Sequence, residues 1–213
     1  MPKKVDRRAR RTQIADALMR VAATQGLQAV SLRHVANAAS VSAGMVQHYF
    51  RTKDEMMVFA LKVVSENVQA RLVAGAAEHH EPPSPEAVVR SLLIEMLPLD
   101  ELRWLEGHVG LAFHAYAAVN PAIADSLRED TERMQVFLSE QIRAAQRTGE
   151  ALAELDPDHA ARTLLALVEG LSLHVLGQRY APDRALATFD AHLALVFRSA
   201  AGQNRPEKSH PQS

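Results

Sequence analysis

The chain has 213 residues and 47% apolar content, ample for a hydrophobic core and a length that fits one or two domains. It holds no cysteine, which excludes disulfides and thiolate metal sites and suits a cytoplasmic protein, and no apolar run nears the roughly 18 residues of a membrane span. The net charge of −1 hides an asymmetry: residues 1–53 carry ten Lys or Arg against Asp6 and Asp16, and the rest carry fourteen against twenty-three acids. A basic first quarter on an acidic remainder points to a nucleic-acid-binding unit joined to a unit that does not bind nucleic acid.

In chain order, Met1–Arg11 reads as a basic arm, disordered at its start; without an apolar stretch behind the charges it is no signal peptide. Arg7, Arg8, Arg10 and Arg11 are expected either to reach phosphates or the minor groove, or to serve as a solubilising tail. Ile14, Ala17, Leu18, Val21 and Ala22 recur at helical spacing, which predicts a helix from about Arg7 to Gln25 with Gly26 just past its end. The next stretch, 31–50, divides into helix, turn and helix. Leu32, Val35 and Ala36 stripe the first helix behind Ser31 as N-cap, and the small Ala36 and Ala39 permit a close helix crossing. Val41 fills the turn, and Ser42 caps a second helix running to about Tyr49. On that helix Val46, Tyr49 and Phe50 face inward, while Ala43, Gly44, Gln47 and His48 face outward with Met45 on the flank. A helix that offers small residues and two hydrogen-bonding side chains to solvent suits the major groove of DNA.

At these residues the chain resembles the TetR family of transcriptional regulators. The resemblance lies in Ala39-Ser40-Val41-Ser42, in Gly44-Met45-Val46-Gln47-His48-Tyr49-Phe50 and in Lys53. Two positions depart from the family pattern. Ser40 stands where a turn glycine is usual, and Gln47 where an aromatic is frequent, so a phosphate-contacting tyrosine is not carried over there. The resemblance implies a three-helix DNA-binding unit that meets a double-stranded operator through Ser31, Arg33, Ser42, Ala43, Gly44, Met45, Gln47, His48, Tyr49 and Lys53. Within that set Gln47 is expected to read a base, His48, Tyr49 and Lys53 to hold phosphates, and Ser31 and Arg33 to stand at the groove wall.

Thr52-Lys53-Asp54-Glu55 has the form of a capping box and opens a long helix, Lys53 to about Ala77, with Met56, Phe59, Ala60, Val63, Val64 and Val68 as its buried stripe. The proline-rich Glu78–Pro85 breaks the chain, and its adjacent His79 and His80 read as loop residues. Further helices are expected from Ser84-Pro85 to about Leu97, Asp100 to Val119, Asn120-Pro121 to Thr148, Asp156-Pro157 to Tyr180 and Ala181-Pro182 to Ala200. With no period-2 alternation, the fold class is all-α, about nine helices. The expected division is an arm and DNA-binding domain at 1–52, a connecting helix at 53–77, an effector-binding and dimerisation domain at 78–201 and a disordered tail at 202–213.

In the second domain Met96–Glu101, Leu111-Ala112-Phe113 and Leu164–His174 resemble the C-terminal domain of the BetI-like branch of TetR proteins, with Glu169 where Asp is usual. The resemblance implies a homodimer, its last two helices forming a four-helix bundle with a two-fold mate. The expected interface is Leu164, Val168, Leu171 and Val175 with Leu186, Phe189, Leu193, Val196 and Phe197; the alternative is that both stripes face the chain's own core. The helix 100–119 is apolar on both flanks, so Trp104, His108, Phe113 and Tyr116, with His174, are expected to line a site for an unidentified small-molecule effector. No catalytic motif, cofactor loop or spaced metal-ligand set is found, so no enzyme, cofactor or metal is expected.

Overall fold

The computed structural model describes residues 3–77 and 82–198. Within them it has nine α-helices and no strand. These are α1 (Lys3–Gln25), α2 (Leu32–Ala38), α3 (Ala43–Tyr49), α4 (Lys53–Ala77), α5 (Pro85–Ile94), α6 (Glu101–Ala117), α7 (Pro121–Thr148), α8 (Pro157–Leu176) and α9 (Pro182–Val196), with a short 3-10 turn at Leu27–Ala29. His79, His80 and the tail 202–213 lie outside the described residues.

The starts follow the local chemistry of the sequence. The side chains of Ser31, Ser42, Ser84, Asp100, Asn120 and Asp156 each accept a backbone N–H of the first turn of the helix behind them. Ends depart more. α1 begins at Lys3, so the four arginines of the expected arm ride on a helix. α8 stops at Leu176 instead of Tyr180, because Gln178 takes a left-handed φ of 55° and the N–H groups of Arg179 and Tyr180 fold back onto the His174 carbonyl.

Two hydrophobic cores result. The first joins Ile14, Leu18, Val35, Val46, Phe50, Met56, Met57 and Val63 of α1–α4 with Val109 and Phe113 of α6 and Ile123 of α7. Full burial of side chains of this size contributes about 1.5–3 kcal/mol each. The second joins α5, the C-terminal half of α7, α8 and α9 around Leu93, Leu138, Ile142, Leu164, Val168 and Phe189. The DNA-binding unit expected at 1–52 is therefore packed with help from beyond residue 100. The long helix α4 packs on α1 and α7, and α6 packs on both α1 and α8.

Candidate nucleic-acid interface

The turn between α2 and α3 is built around Ser40. It has φ 55°, the left-handed conformation that the serine substitution required of it. Its N–H donates to the Asn37 carbonyl, and that of Val41 to the Ala36 carbonyl, closing the end of α2 as a Schellman motif. From α1, Gln13 Nε2 donates to the Ala39 carbonyl at 2.9 Å and Arg20 to the Ala38 carbonyl at 3.3 Å, so the first helix holds the turn through its free carbonyls.

This anchoring fixes the aspect of α3. Val46 and Phe50 are fully buried and Tyr49 is half-buried, whereas Ala43, Gly44, Met45, Gln47 and His48 are exposed, as are Ser31, Arg33 and Ser42. His48 and Tyr49 meet edge to face, ring centroids 5.2 Å apart. A Cβ added at Gly44 would meet nothing within 4 Å. Behind α3, Thr52 caps α4 by accepting the Glu55 N–H, and the Glu55 carboxylate accepts the N–H of Arg51. Lys53, half-buried, places its Nζ 5.4 Å from the centre of the Tyr116 ring. Burial lowers its pKa, and Asp54 opposes that shift.

The arginines of α1 divide. Arg7 and Arg10 are exposed or half-buried on the outer face, and Arg10 bonds Gln13. Arg8 pairs with Glu66 at 3.0 Å. Arg11 lies over both Phe50 and Phe59, 4.7 and 4.3 Å from their ring centres, with Glu55 at 3.7 Å. Arg11 therefore serves the join of α1 to α4, a role that arm composition alone did not reveal.

The five residues expected to line an effector site do not converge. Trp104 is 41% exposed on the outer side of α6, its ring 3.8 Å from that of half-buried His108. Twelve residues further along the helix, roughly 18 Å away, the Tyr116 hydroxyl donates to Asp54 at 3.0 Å. Phe113 belongs wholly to the first core. His174 stacks on Tyr180 at 4.5 Å, at the end of α8. The expected interface stripe is also placed otherwise: Leu164, Val168, Leu171, Val175, Phe189, Leu193 and Phe197 are buried in the chain's own second core, with Leu186 and Val196 half-buried against it. The faces α8 and α9 leave open carry Ala166 and Leu173, and Ala187, Ala191 and Leu195, with Gly170 half-buried among them. The alanines and Gly170 carry little weight in a hydrophobic pattern, and Leu173 and Leu195 lie off the stripes that the buried residues of their helices trace.

Among the described residues no helix is long and apolar enough to cross a membrane. Comparison with known proteins agrees with this architecture. Residues 14–58 match the N-terminal domain described as "Bacterial regulatory proteins, tetR family", and residues 85–198 match "BetI-type transcriptional repressor, C-terminal". The chain is 35% identical to the HTH-type transcriptional regulator PksA of Bacillus subtilis (strain 168) over 83% of each chain. A solved transcriptional regulator from Rhodococcus sp. Rha1 is 34% identical with a TM-score of 0.75, covering 87% of this chain and 95% of its own. A regulator from Saccharomonospora viridis, solved in complex with choline, shares the fold at 24% identity and a TM-score of 0.75, over 85% of this chain and 93% of its own. The chain belongs to the TetR family of bacterial transcriptional regulators, which are DNA-binding proteins and not enzymes.

Proposed function

We propose that this regulator is a repressor that binds an inverted-repeat operator as a homodimer in the cytoplasm and is released by a small-molecule effector. The observation that carries the reading is the outer face of α3: Ala43, Gly44, Gln47 and His48 stand exposed on a rigidly anchored helix, and the fold has no use for a glycine there. Gln47 pairs with an adenine edge in the major groove, while His48, Tyr49 and Lys53 hold phosphates, with Ser31 and Arg33 at the groove wall. In the dimer, α8 and α9 meet their two-fold mates through Ala166, Gly170, Leu173, Ala187, Ala191 and Leu195, and the two α3 helices enter successive grooves about 34 Å apart.

The test uses DNA selected from a random pool by the wild-type protein. Gln47→Ala is expected to relax preference at one base position, costing about 1–3 kcal/mol on the preferred sequence and little on others. Lys53→Ala weakens binding to every sequence and reduces the slope of affinity against salt. Equal loss on selected and random DNA in the Gln47 variant removes that residue from base reading. A wild-type protein that binds both pools alike is an architectural binder and not an operator-specific regulator.

The effector acts on the C-terminal half, where the choline complex of the Saccharomonospora viridis relative offers a first compound to try. Trp104 is the only tryptophan, and its contact with His108 makes its fluorescence a direct reporter of events at that end of α6. A compound that lowers operator affinity must, by linkage, bind more weakly to the DNA complex by the same factor.

A further inference from the structure

One polar cluster is used by none of these roles. Arg71 of α4 donates from Nε to Glu95 at 2.6 Å, and from its two terminal nitrogens to both carboxylate oxygens of Glu106 at 3.1 and 2.8 Å. Glu95 caps the end of α5 and Glu106 lies on α6. Their side chains are only 13% and 12% exposed, and that of Arg71 is 28% exposed. Arg103, one turn before Glu106, reaches Glu95 at 3.5 Å and Asp100 at 2.7 Å. The hydrogen bonds it donates to Glu106 hold the pKa of the Arg71 guanidinium above its ordinary value, burial opposing and Glu95 adding. A planar fork that satisfies two carboxylates at once is a task for arginine; a lysine is a single point charge.

The rest of α4 shows why this matters. Among its described side chains the buried ones, Met56, Met57, Ala60 and Val63, all lie in the first half, inside the first core. From residue 64 to residue 75 no side chain is fully buried, and Val73 stands open to solvent. Over that stretch Val68 and Leu72 are only half-buried, and Arg71 supplies the hydrogen bonds that tie it to the end of α5 and to α6.

We propose that Arg71 is a positioning residue for DNA recognition: seated on Glu95 and Glu106, it fixes the angle at which α4 leaves the DNA-binding unit. Through that angle it sets the separation of the two α3 helices, a consequence that rests on the dimeric reading above. Any rearrangement that parts the end of α5 from α6 divides the two carboxylates, and α4 loses its seat.

The absence of cysteine allows specific labelling. Spin labels at Asn37→Cys and Glu140→Cys, both exposed, report the distance between the DNA-binding unit and α7 within one chain when diluted with unlabelled protein. Wild type is expected to give one narrow distribution. Arg71→Met and Glu106→Gln shift or broaden it, the pair together do no more than the larger single change, and Arg71→Lys falls between. In the unlabelled protein, affinity for the selected DNA falls about tenfold and preference for half-site spacing relaxes. A folded Arg71→Met protein with the wild-type distance distribution and spacing preference, whatever its melting temperature, overturns the proposal. Should Arg71→Met fail to fold, Glu106→Gln, which keeps the shape and removes the charge, carries the same test. Light scattering that finds wild type monomeric would sink the dimer reading, while the distance within one chain still decides the role of Arg71.

Discussion

A glycine inside a helix costs about 1 kcal/mol relative to alanine, and Gly44 stands in a helix with open space where its Cβ would lie. The fold by itself would favour alanine there. Gly44→Ala is therefore expected to raise the melting temperature by about 2–4 °C, and Gly44→Leu to leave the protein folded yet unable to bind selected DNA. Calorimetry beside a mobility-shift assay checks both; a Leu variant that binds like wild type would place α3 outside the interface. Arg11 is the reverse case, a basic residue that works for the fold. Arg11→Ala removes its stacking over Phe50 and Phe59 and is expected to lower the melting temperature, whereas Arg7→Ala with Arg10→Ala is expected to flatten the salt dependence of DNA binding, an unchanged slope marking them as a solubilising tail. In the sequence these arginines are indistinguishable, because a run of basic residues carries no information about which one turns toward a ring some forty residues away. The left-handed Ser40, by contrast, was legible through the resemblance, since it stands where a turn glycine is usual and a glycine there implies a positive φ.

The helix α6 belongs to the first core and also packs on α8 of the second. Near its middle, a Cβ on Gly107 would lie 3.3 Å from the Leu176 side chain of α8 and 3.4 Å from Pro98, while half a turn on, Val109 enters the first core, with Phe113 one turn further. Phe113→Ala is expected to cost about 3–5 kcal/mol and to speed amide exchange in α1, at the other end of the sequence. A fragment ending at residue 77 lacks Val109, Phe113 and Ile123, and should show little cooperative unfolding; a sharp transition from that fragment would show the first core complete without α6. Helix number, type and the starting points behind a capping side chain were readable in advance because capping and periodicity are local chemistry, whereas α1, with no such cap, starts at Lys3 and not near Arg7. What a buried stripe packs against was not. The spacing of Leu164, Val168, Leu171 and Val175 names a face of α8 but not whether α7 or a second subunit covers it, and Phe113 and Trp104 looked equivalent on a helix apolar on both flanks.

For the whole molecule, the open faces of α8 and α9 make a sharp prediction. Ala166→Glu with Ala191→Glu places charge on the proposed two-fold contact without touching either core. The double variant is expected to be a folded monomer by light scattering, with selected-DNA affinity lowered at least to that of a single half-site; a persistent dimer would move the contact elsewhere. The sharing of α6 has a further consequence for how such a regulator is removed from a cell. A cut before Val109 and Phe113 takes both from the first core, so on the proposed reading the N-terminal fragment left behind is expected to lose its fold and its grip on DNA.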